Sequence, residues 1–191
     1  MINTQPPHVE AGAKRTNGEF YTPDALALAI CETLAGHGIS PGYVLEPGCG
    51  GGAFLRAARA TWPRADLMGV DLAPACTGPG LVSRMDLFSL TWSYDLILGN
   101  PDFSRAEEIV RHCLGLRAPG GYLAFLLRLN MLGGIGRASL YTEHPLWLFQ
   151  PIAGRPSFTS DGKTDSSDYG LFVWREGHTG PGKILQPLIW R

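Results

Sequence analysis

Asn100 and Pro101 close a short apolar run, Leu96-Ile97-Leu98-Gly99, and Phe103 follows two positions after the proline. The Asn100 side-chain oxygen and the Pro101 carbonyl are two acceptors that can take both hydrogens of one amino group. The Phe103 ring can stack on a flat heterocycle held beside them. Those are the parts needed to alkylate an exocyclic amine, whose lone pair is otherwise shared with its ring. Accepting both N–H bonds favours a pyramidal nitrogen with its lone pair turned toward an electrophilic methyl. In-line positioning then supplies much of the rate. No strong base is required before attack, because the proton can leave afterwards.

A second constellation precedes this one. Gly48-Cys49-Gly50-Gly51-Gly52-Ala53 reads as a turn between a strand and a helix and matches G-x-G-x-x-A. Such a turn allows close backbone approach and leaves N–H groups free at a helix start. A glycine turn is also a common structural device. No Gly-Lys-Ser/Thr follows, so it is not a phosphate loop. Acids stand at the ends of three predicted strands: Glu46 just before the glycines, Asp71 roughly 20 residues further on where an acid grips ribose hydroxyls, and Asp86. Each acid alone reads as a solvated loop residue. Together they mark one edge of a sheet, where open α/β sheets bind ligands. Glu46 would repel a pyrophosphate and suits a ligand that carries positive charge.

The elements that must position these residues are legible in the pattern. Thr22-Pro23-Asp24 reads as a helix start, with Thr22 as cap, Pro23 first in the helix and Asp24 against the dipole. Gly36 and Gly38 stop that helix. Strands are predicted over residues 43–46, 66–72, 82–86, 94–98 and 122–129, with helices over 53–61 and from a Ser104–Glu107 capping box onward. Ala118-Pro119-Gly120-Gly121 is read as the end of the last helix. Alternating strand and helix argue for a parallel sheet covered on both faces. Residues 147–152, 169–175 and 184–190 read as late strands that close its edge. Residues 1–17 read as a mobile arm and 18–191 as one domain with no separate target-recognition domain.

Composition excludes several classes. The 191 residues are 45% apolar and 17% charged, with a net charge of -1, so the chain is globular and carries no global basic field. Four cysteines form no C-x-x-C and five histidines show no ligand spacing. Metal chemistry is therefore unsupported, and reduced thiols in a cytoplasmic protein are the default expectation. No apolar run is long enough to span a membrane. Asp161, Asp165 and Asp168 do not fit a calcium-loop spacing, so residues 159–167 are read as a cover over the target pocket or as a plain surface turn.

Glu46-Pro47-Gly48-Cys49-Gly50 followed by Asn100-Pro101-Asp102-Phe103 resembles the class I S-adenosylmethionine (SAM) methyltransferases, in their amino-methylating branch. Gly18-Glu19-Phe20-Tyr21-Thr22-Pro23 is similar to the motif before the glycine loop in adenine-N6 DNA methylases. Arg155-Pro156-Ser157-Phe158, Lys163-Thr164-Asp165-Ser166, Tyr169 and Val173-Trp174 are similar to small phage-type DNA methyltransferases. The resemblance implies an α/β, Rossmann-like methyltransferase fold with a seven-stranded, mostly parallel sheet and an antiparallel edge strand. It implies that Glu46 and Gly48 line the methionine part of SAM, that Gly50 also touches the cofactor, and that Tyr21 and Thr22 close over it. It implies Asp71 on the ribose, Asp86 on the adenine, Asn100 and Pro101 on the target amine and Phe103 on the target base. Arg128, Arg155, Lys163 and Asp165 are the candidate substrate contacts. The family pattern is Asn-Pro-Pro-Phe/Tyr, and this chain has Asp102 at its third position. That carboxylate is read as a tolerated change, a third acceptor, or the mark of a weakened enzyme, with the first preferred.

The expected activity is methylation of adenine N6 in DNA. RNA adenine, cytosine N4, a protein glutamine amide, an NAD-dependent oxidoreductase and a non-catalytic binding module remain as alternatives. The short segment after the fifth strand, 130–168, predicts relaxed or short-site specificity, or help from a second subunit such as a homodimer partner.

Overall fold

The computed structural model describes residues 22–76, 78–158 and 165–190. The N-terminal arm, Gly18 to Tyr21, Lys163 and most of the 159–167 segment lie outside the described residues.

The element order is α1 (Asp24–Gly36), β1 (Tyr43–Pro47), α2 (Ala53–Thr61), β2 (Asp66–Asp71), β3 (Leu81–Arg84), β4 (Tyr94–Gly99), α3 (Ala106–Leu114), β5 (Arg117–Arg128), α4 (Ala138–Glu143), β6 (Leu148–Ala153), β7 (Tyr169–Arg175), β8 (Lys183–Ile184) and β9 (Leu188–Ile189). The sheet runs β3-β2-β1-β4-β5-β7-β6-β8, with β9 also pairing β6. Strands β1 to β5 are mutually parallel. Strand β7 runs antiparallel to both β5 and β6, on the far side of the sheet.

Period-two alternation builds two core layers from the same strands. Val44, Leu96, Leu98, Ala124 and Leu126 face α1 and α2. Leu45, Ile97, Leu123, Phe125 and Leu127 face α3. With both faces covered, the strands read as continuous apolar runs. The chain lays β2 and β3 to one side of β1, then crosses to lay β4 and β5 on the other. The connections after β1 and β4 therefore diverge, and a crevice opens at their carboxyl ends.

Local details depart from the sequence expectations. Pro23, with φ -57° and ψ 134°, occupies the position before α1, which begins at Asp24, and no side chain caps this helix. Thr22 is therefore not a cap; it is buried beside the crevice. The capping box does not form either. Helix α3 starts at Ala106 without a side-chain cap. The Ser104 hydroxyl instead donates to Asp102, and Glu107 accepts from Arg111 at 3.1 Å.

Strand β5 extends back to Arg117 through Pro119 and Gly121, and its ladder with β4 shifts register between Tyr94 and Leu96. Strand β3 ends at Arg84, two residues short of the expected end. The expected terminal strand is split into β8 and β9, each pairing β6. Pro187, without an N–H, stands between them. Helix α4 had no counterpart in the sequence reading.

Candidate active site

The crevice at the ends of β1, β2 and β4 is shaped first by backbone. Gly50 (φ 46°) and Gly52 (φ 73°) sit in the left-handed region, which side chains disfavour. A Cβ on Gly52 would also lie 2.7 Å from the Cys76 sulfur. The Cys49 N–H donates to Val70 at 3.0 Å, tying the loop to the end of β2.

Asp71 holds this loop. Its Oδ2 accepts from the Gly50 N–H and its Oδ1 from the Ala73 N–H, each at 2.8 Å. Glu46 does a related job at longer range. Helix α2 opens on Gly52 with no side-chain cap of its own. The Glu46 Oε2 accepts from the Leu55 N–H at 2.9 Å, satisfying one of the free donors of the first turn. Burial pushes the Glu46 carboxyl well above its usual range, and the Leu55 N–H opposes that only in part. Asp86 accepts from the Phe88 N–H at 3.1 Å and opens the turn Leu87–Ser89. The Arg105 guanidinium lies 4.8 Å from the centre of the Phe88 ring.

Asn100 follows β4 and enters the same crevice. Its Oδ1 is buried and has no hydrogen-bond partner among the described residues. Buried polar atoms are bonded in more than about nine cases in ten, so an orphaned acceptor at a cleft wall marks a place for a donor from outside the chain. Next to it, the Asp102 carboxylate is turned onto its own loop. It accepts from the Ser104 N–H at 2.9 Å and from the Ser104 hydroxyl at 2.9 Å. This is a side-chain turn, and it stiffens the segment by hydrogen bonds where a second proline would do so covalently.

Phe103 stands at the junction between this crevice and a second, more polar cleft that includes Arg128 and Arg137. The Arg128 guanidinium lies 4.6 Å from the Phe103 ring centre. Tyr169 and Phe158 meet the same ring at centroid distances of 5.4 and 6.3 Å. Arg128 is itself fixed, donating to the Tyr169 hydroxyl and to Asp165, each at 3.2 Å. Burial alone would raise the Asp165 carboxyl, but the Ser167 N–H, the Tyr169 hydroxyl and Arg128 together hold it below its usual range. Arg155 pairs with Asp168 at 2.8 Å and lines neither cleft.

One crevice thus gathers Thr22, Glu46, Gly48, Gly50, Asp71 and Asp86 with Asn100, Pro101, Asp102 and Phe103. Arg128 lies outside it, over the Phe103 ring and lining the neighbouring cleft, with Asp165 bonded to it. Arg105 also lines the crevice, as do Met85, Leu87 and Phe88, which the sequence does not single out. The usable signal was adjacency: the apolar residues flank Asp86. Tyr169 and Phe158 had been quoted only as part of a resemblance, without a role at the site.

No family model matches the chain. It is 39% identical over 56 residues to the Type II methyltransferase M.NspV of a Nostoc species, a stretch that covers 29% of this chain and 12% of that protein. It is 33% identical over 164 residues to the Type II methyltransferase M.XamI of Xanthomonas campestris pv. amaranthicola, covering 69% of this chain. The chain therefore spans 12% and 30% of the lengths of these two curated relatives. Among solved structures, a protein of Listeria monocytogenes described as a class I SAM-dependent methyltransferase superposes with a TM-score of 0.67 at 14% identity, covering 92% of this chain and 68% of that one. The fold is the Rossmann-like methyltransferase fold. In that fold the crevice described above is the open end of the parallel sheet, on either side of the β1–β4 crossover. No helix among the described residues is long and apolar enough to cross a membrane. No cluster of three potential metal ligands occurs among them.

Proposed function

We propose that the chain binds SAM in the glycine-loop crevice and transfers its methyl group to the exocyclic N6 amine of adenine in DNA. The observation that carries this reading is the orphaned, buried Asn100 Oδ1, on the same crevice as Glu46 and Asp71. The chain's chemistry suits the cofactor. Glycines at positive φ admit close approach, Asp71 stands where ribose hydroxyls can be held, and a ligand with positive charge would offset the burial that raises the Glu46 carboxyl and favour its ionised form.

When bound, SAM supplies a methyl group activated by its sulfonium. The residues of this chain do the rest. Asn100 Oδ1 and the Pro101 carbonyl accept the two amine hydrogens and orient the nitrogen lone pair. The Asp102–Ser104 bonds keep those two acceptors at a fixed spacing. Phe103 borders the place of the target base, its ring held by Arg128 and Tyr169. Contact between the base and this aromatic cluster offsets part of the stacking lost when a base leaves a duplex. The amine proton departs to solvent after transfer. Similarity to two Type II methyltransferases supports DNA as the carrier of the adenine.

The test is nucleoside mass spectrometry of DNA incubated with the protein and SAM. N6-methyladenine that forms with the wild type and not with Asn100→Ala supports the reading. Methyl found only on RNA, on cytosine N4 or on a protein glutamine amide overturns the substrate assignment. NAD binding without SAM binding in calorimetry overturns the cofactor assignment.

A further inference from the structure

Methyl transfer leaves two sulfur atoms at the crevice unused. Cys49, inside the glycine loop, is buried; Cys76, in the segment after β2, is half-buried. The Ala75 N–H donates to the Gly50 carbonyl at 3.0 Å and holds that segment against the loop. The two thiols lie within reach of each other, with the more buried Cys49 placed to donate and Cys76 to accept. Glycines make the room: a Cβ on Gly52 would lie 2.7 Å from Cys76 Sγ, and one on Gly69 3.0 Å from Cys49 Sγ.

The other two cysteines form a control within the same chain. Cys31 and Cys113 are buried in apolar packing, and burial pushes both thiols up, Cys113 to about 12. Cys76 is the opposite case. The hydrogen bond from Cys49 brings its thiol down to about 6 against the effect of burial, with help from the Gly78 backbone and Arg56. Cys49 is correspondingly pushed up, first by that same hydrogen bond. The pair is therefore a half-buried thiol of lowered pKa beside a buried one, the arrangement of an attacking and a resolving cysteine.

We propose that Cys49 and Cys76 are a redox modification site, forming a reversible disulfide in response to hydroperoxides and thereby closing the crevice to its cofactor. The second half of this proposal rests on the SAM reading; the first does not. Cys76 Sγ attacks one peroxide oxygen: an S–O bond forms, the O–O bond breaks, and the leaving hydroxide or alkoxide takes a proton from solvent. The sulfur is oxidised by two electrons to a sulfenic acid and the peroxide is reduced. Cys49 Sγ then attacks that sulfur. The S–S bond forms, the S–O bond breaks, and hydroxide leaves as water with the Cys49 proton. A small dithiol reverses the reaction by exchange.

Closing the bond brings the sulfurs to about 2.05 Å and ties Cys49 covalently to the post-β2 segment. Cys49 lines the crevice, and Gly50, next to it, is the residue whose N–H Asp71 holds. A covalent tie at Cys49 constrains the backbone against which a ligand must fit.

The experiment is peptide mapping of the whole chain after treatment with hydrogen peroxide, with and without later dithiothreitol. The expected result is a Cys49–Cys76 cross-linked peptide, two hydrogens lighter than the reduced pair, restored by dithiothreitol, with Cys31 and Cys113 unmodified. Cys49→Ser should leave a sulfenic acid on Cys76 that a cyclic diketone captures, and Cys76→Ser should abolish the response. Absence of the cross-link in the wild type, or oxidation of Cys31 or Cys113 as fast as Cys76, overturns the site. Calorimetry with SAM on the reduced and oxidised wild type then reads the consequence. At least tenfold weaker binding to the oxidised form supports closure, and equal binding overturns it. If the reduced protein does not bind SAM, the cofactor reading and the closure fail together, while the peptide map still decides the disulfide.

Discussion

The two sides of the crevice are built by different means. On the glycine-loop side, backbone and carboxylates set the shape: Asp71 and Glu46 accept main-chain N–H groups, and the walls come from adjacent parallel strands β1 and β2. On the outer side, side chains set the shape. Phe103, Phe158, Tyr169 and Arg128 hold one another, with Tyr169 on the antiparallel strand β7. A backbone-built pocket suits one invariant small ligand, because few atoms in it can rearrange. A side-chain-built rim can change its occupant by substitution without disturbing the sheet. Asn100 sits where the two meet.

Breaking the junction should have the largest effect. Asn100→Ala is expected to lower methyl transfer by about 100-fold or more, the size seen when one preorganised polar contact to a transition state is lost. Its SAM affinity should stay within about threefold, read by calorimetry, because few of its contacts belong to the glycine-loop side. Next comes the rim. Phe103→Ala should weaken nucleic-acid binding by about 1–3 kcal/mol, the usual value of one stacked base. Fluorescence titration with DNA should show it while SAM affinity is kept. An equal loss of both affinities would mean that the two sides are not separable.

The two sides should also answer pH with opposite signs. The Glu46 carboxyl is raised in the folded state. Its contribution is complete below the ordinary carboxylate range and is lost as pH rises toward the folded value. Glu46→Gln keeps an acceptor for the Leu55 N–H and has no proton to lose, so its melting temperature should gain on the wild type as pH rises from about 4 to 7. Asp165 is lowered in the folded state. Its contribution is present above the ordinary range and is lost as pH falls through the folded value. Asp165→Asn should therefore be less stable than the wild type at pH 7 and equal to it at the acid end. Matching slopes for the two variants would remove the distinction. The smallest effect belongs to Asp102. Asp102→Asn keeps the turn with Ser104 and should leave activity within about threefold. Asp102→Ala, which loses the turn, should cost about 1 kcal/mol of stability in chemical denaturation.

These expectations rest on features that were unequally visible in the chain. The strands were legible because both faces of the parallel sheet are covered, which turns residues such as Leu96-Ile97-Leu98 and Leu123 to Leu127 into unbroken apolar runs. The glycine loop and Asn100 were legible because left-handed turns and paired acceptors demand particular residue types. Helix starts were less so. Ser104 and Glu107 have the right spacing for a capping box, yet a nearer acceptor, Asp102, takes the serine. Short polar side chains choose among several local partners, and the loop geometry decides between them.

The sequence by itself determined the alternation of strand and helix, the order of the motifs along the chain and the chemical types gathered at the strand ends. Those follow from local periodicity and from backbone angles that only some residues can adopt. The tertiary structure decided which groups face one another: Glu46 on the Leu55 N–H, Arg128 over Phe103, Cys49 against Cys76, and Asn100 left without a partner. Each of these joins residues from separate elements. Their meeting depends on the order in which the sheet is wound, and that order is set by how whole faces pack.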